Sequence, residues 1–386
     1  MLAILSGKFS LFVQFVSSTI ENAHTTQCHF LLFNDLTILI LTNQTLSIYM
    51  KSRLNPECFC GLWCLALLCS TLIAPLQGQE DGGISNEMWR WQLSDFENSS
   101  YEEGVEKLFY KFETETQKQL RPGELKKVGL KIYTGSGPGL ATPKSLVNAV
   151  IQQLNRRGFE NNQIFLLDQN QRNLRAAGYL PPLSQRRSDY LGVPVLALDS
   201  DSLTNPDWFY ESPLPSFPLG GQDGENDRKS FLPYPLIAEV DFFINLPVVV
   251  DCPGVNVSGS LANVSIWNVL NHQRFLADKN STPVAATEIA AIPELKQKCI
   301  FTLLSLEKYQ YIGGPSFHSL YTASEPELCI STNMVLLDYY VTQKMNEKRR
   351  NLRFKEISLD SPLFQYGKTL GLGEYEPEFT TNRQIK

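Results

Sequence analysis

The fold turns on residues 126–170, KKVGLKIYTGSGPGLATPKSLVNAVIQQLNRRGFENNQIFLLDQN. At its start Val128, Leu130 and Ile132 alternate with Lys127, Gly129 and Lys131, the period of a strand with two distinct faces. Beyond the turn TGSGPG, Leu146, Val147, Val150, Ile151 and Leu154 recur at helical spacing. This helix carries its own punctuation: Thr142 is placed to cap it, Pro143 suits its first turn, and Arg156 and Arg157 precede a terminating Gly158. NQIFLLDQN then reads as a second strand ending at Asp168. Strand, helix and strand in this order form a βαβ unit, whose strands run parallel and lie side by side or nearly so. The expected class is α/β: a mostly parallel central sheet with helices on both faces, in a single large domain.

Downstream segments extend the same pattern. Residues 179–240 are rich in Pro, Gly, Ser and Asp around the short apolar run VPVLALDS, and read as a loop-rich insertion. VDFFINLPVVV, residues 240–250, is the most apolar run and reads as one central parallel strand. CIFTLLSLEKYQ adds another strand, and STNMVLLDYYVTQKMNEKRR reads as a late helix. Upstream, YEEGVEKLFYKFETETQKQL sets Val105, Leu108, Phe109 and Phe112 on one helical face. Residues 79–125 are therefore expected as an N-terminal helical cover, and 126–386 as the α/β domain.

With 386 residues, 43% hydrophobic and 11% aromatic, the chain has ample material for a packed core. Its formal charge is −6, and the densest basic cluster is Lys348-Arg349-Arg350 at a helix end, where cations complement the terminal carbonyls. No basic footprint for nucleic acid is present. His272 and His318 lack H-x-x-x-H or H-E-x-x-H spacing, so no metal site is expected, and no cofactor motif appears. TGSGPG follows G-x-G-x-G, Pro138 removes a donor and no P-loop lysine follows, so it reads as a plain turn. No G-x-S-x-G elbow occurs. Glycosylation triplets stand at Asn98, Asn256, Asn263 and Asn280.

The first 78 residues differ from the rest. Residues 1–49 contain apolar runs broken by Asn and Asp, without the clean span of about 18 apolar residues that a membrane helix needs. From Met50 the order is Lys51 and Arg53, then the uncharged run CGLWCLALLCSTLIA, then polar QEDGG, which is the order of a secretory signal peptide. We therefore expect translation to start at Met50, residues 1–49 to be an over-extended frame, and 50–78 to be the signal. The exported part is then periplasmic or extracellular; the alternative is an uncleaved membrane anchor. Cys58, Cys60, Cys64 and Cys69 lie in the removed segment. Cys252, Cys299 and Cys329 remain, enough for one disulfide and one thiol, with no pair specified by spacing.

Position singles out several polar residues. Lys131 lies near the carboxyl end of its strand and Asp168 ends the next, where ligands collect in open α/β sheets. Asp338 shares a helical stripe with Met334, Val341 and Met345, so its carboxylate needs a specific partner. Six blocks between residues 120 and 378, among them LRPGELKKVGLKIYTG, DFFINLPVVVD, VSGSLANVSIWNVLNHQRF and GKTLGLGEYEPE, resemble the bacterial family catalogued as domain of unknown function 362.

The resemblance implies a strand ending Ile-Lys-x-Asn, in which Lys131 fits and Tyr133 replaces Asn. Its central segment implies a Pro, a basic residue or Asp, and a His, then Val-Thr-Gly-Ala-Leu-Lys-Asn. Asp251 fits, Cys252 replaces His, residues 257–263 follow the pattern, and Ala262 replaces Lys. The late block keeps Asn333, Val335 and Asp338. The four-cysteine ferredoxin module of some relatives has no counterpart in the spacing, so no iron–sulfur cluster is implied.

The leading expectation is an exported protein binding a small polar or anionic ligand at the carboxyl edge, near Lys131, Asp168, Asp251, Ser258, Asn263 and Asp338. Loss of the family's His and Lys removes the groups best suited to moving protons near neutral pH. One rival is an enzyme using Asp251, Lys131 and Cys252 for acid/base or thiol chemistry. Another is an envelope structural or interaction protein, suggested by the Pro-rich insertion and abundant Tyr and Phe.

Overall fold

The computed structural model describes residues 85–385 apart from 186, 201–202, 213–227 and 277–279, all within one compact unit spanning 80–386. The expected signal peptide and over-extended frame lie outside the described residues. Among the described residues no helix is long and apolar enough to cross a membrane.

The strands are β1 (Glu87–Gln92), β2 (Val128–Lys131), β3 (Ile164–Asp168), β4 (Asp189–Tyr190), β5 (Val193–Ala197), β6 (Thr204–Glu211), β7 (Lys229–Pro233), β8 (Phe242–Asn245), β9 (Val250–Cys252), β10 (Asn256–Ser258), β11 (Cys299–Ser305), β12 (Tyr309–Gln310), β13 (Thr322–Ala323), β14 (Glu327–Ser331) and β15 (Thr381–Gln384). The helices are α1 (Asn98–Thr116), α2 (Lys144–Arg156), α3 (Gln171–Ala176), α4 (Tyr234–Ala238), α5 (Ser260–Val264), α6 (Gln273–Leu276), α7 (Thr282–Ala290), α8 (Pro293–Lys298), α9 (Met334–Asn351) and α10 (Pro362–Thr369).

Nine strands form the main sheet in the order β15-β1-β14-β11-β8-β2-β3-β5-β4. The run β11-β8-β2-β3-β5 is parallel throughout, β4 and β14 are antiparallel to their inner neighbours, and β15 runs parallel to β1. The α/β class and its mostly parallel sheet follow from this order. Both faces are covered. Val128, Leu130, Ile132, Ile164, Leu166 and Ile244 pack under α1 and α2, where Phe109 and Phe112 meet Phe301 edge-on at 5.4 and 4.7 Å. Phe165, Leu167, Phe243 and Leu304 face the other core, with residues of α4, α5, α7 and α9. Since β2, β3 and β8 are buried on both sides, Gly129 lies against Leu236 and Phe243, and Lys131 is buried.

Three sequence readings need correction. Residues 79–125 supply a strand as well as a helical cover: β1 pairs antiparallel with β14, and its Met88 and Trp89 enter opposite cores. The partner strand lies more than two hundred residues away, beyond any local signal. The apolar run 240–250 is two strands, not one. β8 stops at Asn245, and after Pro247, which has no N–H for a ladder, β9 joins a separate small sheet ordered β10-β9-β12-β13. Thr142 does not cap α2; its hydroxyl donates to the Leu246 carbonyl at 2.8 Å and accepts from the Tyr133 N–H at 2.9 Å. It ties the ends of β2 and β8 together instead.

The insertion splits in the same way. Its first strands, β4 and β5, complete the main sheet, and β6 and β7 form a separate hairpin.

Candidate functional site

Parallel register brings the carboxyl ends of three strands level. Lys131 lies opposite Leu167 on β3 and Asn245 on β8, and Asp168 follows one residue on. The Lys131 side chain is 0% exposed, and its ammonium donates to the Ile132 carbonyl at 2.6 Å, Asp168 Oδ1 at 2.9 Å and Asn263 Oδ1 at 3.1 Å. An ammonium has three donors, and all three are used. Asp168 Oδ2 accepts from the Thr134 N–H at 2.7 Å and the Thr134 hydroxyl at 2.6 Å, which anchors the TGSGPG turn.

The network continues away from the ion pair. Asn263, on α5, donates to Asn245 Oδ1 at 2.8 Å; Asn245 donates to Thr302 Oγ1 at 2.9 Å and the Ser260 carbonyl at 3.0 Å. The Thr302 and Ser260 hydroxyls are 2.6 Å apart. Asp338, on α9, accepts from the Ser260 and Leu261 N–H groups at 2.5 and 2.9 Å, so its stripe position is answered by the start of α5. A continuous buried polar chain thus links Thr134 and Asp168 on one side of the sheet's edge to Asp338 on the other.

Four of the six expected residues, Lys131, Asp168, Asn263 and Asp338, belong to this chain. Ser258 lies beside it, its hydroxyl accepting from Trp267 Nε1 at 2.7 Å. Asp251 is not hydrogen-bonded to it. On β9 its carboxylate meets the Arg349 guanidinium at 2.9 Å and the Gly313 N–H at 2.9 Å. The basic cluster at the end of α9 therefore has a specific role, since Arg349 clasps the small sheet as well as closing its helix.

Burial dominates the electrostatics. It pushes the Lys131 ammonium below its ordinary value, with Asp168 pulling the other way. It raises the Asp338 carboxyl to about 7, opposed by the Leu261 and Ser260 N–H groups, and the Cys252 thiol to about 11. Asp251 is raised by burial and lowered by Arg349. Thiolate chemistry at Cys252 is thereby disfavoured. Cys252, Cys299 and Cys329 all stand as free thiols.

Sequence reasoning missed several members of the edge. Asn245 and Thr302 are polar residues inside strongly apolar strands, which was an available signal. His272 gave none. It is half-buried, its ring is 5.6 Å from that of Trp267, and Trp267 is 6.0 Å from Tyr133. Burial lowers His272 to about 4, with Asp168 opposing and Lys131 reinforcing the shift. Tyr133 and Ser136 exchange a hydrogen bond at 2.9 Å, and Ser136 donates to the Pro315 carbonyl at 2.5 Å. Gly135 is exposed and Gly137 half-buried in the same turn, so the edge meets solvent there and at His272.

Among the described residues no three His, Cys, Asp or Glu side chains approach as a metal-binding group. The glycosylation triplet at Asn263 is closed, because that side chain is 1% exposed and its amide lies inside the polar chain.

No protein-family model matches the sequence, and no curated protein does. Among solved structures the chain is similar to a Thermotoga maritima protein, with 13% identity, 60% of this chain and 55% of that one covered, and a TM-score of 0.30. It is also similar to the lactate racemase apoprotein from Thermoanaerobacterium thermosaccharolyticum, with 11% identity, 58% and 51% covered, and a TM-score of 0.25. The chain spans about half the length of each.

Proposed function

We propose that this is an exported α/β protein that binds a small polar or anionic ligand at the carboxyl edge of its sheet. The observation that carries this reading is the buried polar chain from Asp168 through Lys131, Asn263 and Asn245 to Ser260 and Asp338. Polar and charged groups are costly to bury, and apolar side chains fill a core without that cost. Their concentration where open α/β sheets receive ligands calls for a purpose beyond packing.

The Lys131 ammonium has no donor left for a ligand, so its role is to hold Asp168, the turn anchored by Thr134, and α5 in place. The ligand is met at the outer side of this scaffold by the turn at Gly135 and Gly137 and by His272, while the buried Tyr133 and Ser136, bonded to each other and to the Pro315 carbonyl, hold that turn from beneath. Binding is favoured over catalysis because Cys252, raised to about 11, and His272, lowered to about 4, are poorly tuned for proton transfer near neutral pH. Asp338, raised to about 7, has a suitable value but is fully buried against the N–H groups of α5, out of a ligand's reach. Membership of the domain of unknown function 362 family is part of the proposal, supported by the retained Lys131, Asp251, Asn333 and Asp338.

The test is a thermal-shift screen of the full-length chain against small carboxylates, phosphates and sugars, repeated with Ser136→Ala, His272→Ala, Lys131→Ala and Asp251→Ala. Stabilisation that disappears in Ser136→Ala and His272→Ala supports the edge as the site. A shift that persists in all four variants sinks it.

A further inference from the structure

The opposite edge of the sheet, where β8 and β11 begin, carries a cavity of about 420 Å³. That volume falls within the ordinary range for small-molecule sites. We propose that this cavity binds a small amphipathic monoanion, a medium-chain carboxylate, independently of the site at the carboxyl edge.

The wall combines two chemistries. Phe242, Ile300, Met334 and Leu372 give it an apolar portion, and Lys118 and Lys296 give it cations. Among the described residues neither ammonium has a hydrogen-bond or ion-pair partner. Lys127, Lys344, Lys348 and Lys368 all meet carboxylates, and Lys298 donates to the Val240 carbonyl at 2.7 Å. Asp241 also lines the wall, but its two oxygens accept from the Gly123 and Leu125 N–H groups at 2.8 and 2.9 Å. Two lysines against one carboxylate leave one positive charge in the wall of a protein whose net charge is −6. A single anionic head satisfies that charge, and a short hydrocarbon tail covers the apolar portion and removes it from water. A dianion overcompensates the wall, and a neutral alcohol leaves its cations without a partner.

Cys299 supplies an internal reporter. It lines the cavity and is half-buried, whereas Cys252 and Cys329 are buried elsewhere in the core.

The test is calorimetric titration of the full-length chain with octanoate and with octanol, paired with alkylation of Cys299 by N-ethylmaleimide mapped by mass spectrometry. Octanoate is expected to bind about tenfold or more tightly than octanol, and to lose a similar factor in Lys118→Glu/Lys296→Glu, as fits a lost or reversed charge in a half-exposed site. Both lysines lack structural partners, so the double variant is expected to unfold at the wild-type midpoint; if it does not, Lys296→Gln supplies the comparison. Octanoate should also slow alkylation of Cys299, and Ser136→Ala should leave its affinity unchanged. Equal binding of octanol, undiminished affinity in the variants, no heat with octanoate, or unprotected Cys299 at saturation would each overturn the proposal.

Discussion

Replacing Lys131 by Met keeps most of the side chain's volume and removes only the ammonium. Three acceptors then lose their donor: the Ile132 carbonyl, Asp168 Oδ1 and Asn263 Oδ1. Asp168 stays buried with one oxygen unpaired, and breaking a buried ion pair in this way costs about 3–5 kcal/mol. Thr134 still holds the other Asp168 oxygen through its N–H and hydroxyl, which places the expected loss at the low end, about 3 kcal/mol. Asp168→Asn should cost a similar amount by leaving a buried cation without its carboxylate. The double variant removes both charges, so its loss should fall short of the sum of the singles by about 2 kcal/mol. Urea unfolding at pH 7, followed by tryptophan fluorescence, measures all three differences. The reasoning fails if Lys131→Met costs under about 1 kcal/mol, or if the two single losses simply add.

Three further outcomes follow from individual contacts. Burial lifts the Asp338 carboxyl from 3.8 to about 7, so its stabilising contribution is complete below 3.8 and is lost as pH rises through about 7. The gap in urea midpoint between wild type and Asp338→Asn should therefore shrink between pH 4.5 and pH 8; a constant or widening gap means that Asp338 is ionised throughout. Gly314→Ala would set its Cβ 1.8 Å from the Asp251 carbonyl oxygen, a backbone atom that cannot rotate away, so about 3 kcal/mol or more should be lost. An unchanged thermal midpoint would refute that close approach. Native-state labelling with N-ethylmaleimide at pH 8 should modify Cys299 ahead of Cys252: burial raises both thiols, Cys299 the more, but Cys299 is half-buried and open to the reagent whereas Cys252 is enclosed in the core. Fastest reaction at Cys252 would restore the thiol-enzyme reading.

The central fold was legible because its signals are local. Alternation through Lys131, the helical stripe from Leu146 to Leu154 and the apolar strand ending at Asp168 identify a βαβ unit without any distant partner. The same local rules placed Lys131 and Asp168 at strand ends, and the stripe around Asp338 showed that this carboxylate is buried. The run 240–250 carries a local signal that the one-strand reading neglects, since Pro247 has no N–H for a ladder and marks a break; what its composition does not tell is that the apolar residues after the break join a different sheet.

The partners were decided by tertiary structure alone. Asn263 reaches Lys131 across 132 positions, Asp338 reaches Ser260 across 78, and Asn245 reaches Thr302 across 57. The cavity at the amino edge likewise draws its wall from segments near residues 118, 241, 296, 332 and 372. Periodicity reports which face of its own element a side chain occupies. Strand register and helix placement determine which other side chain waits there, and these are set only when the whole sheet assembles.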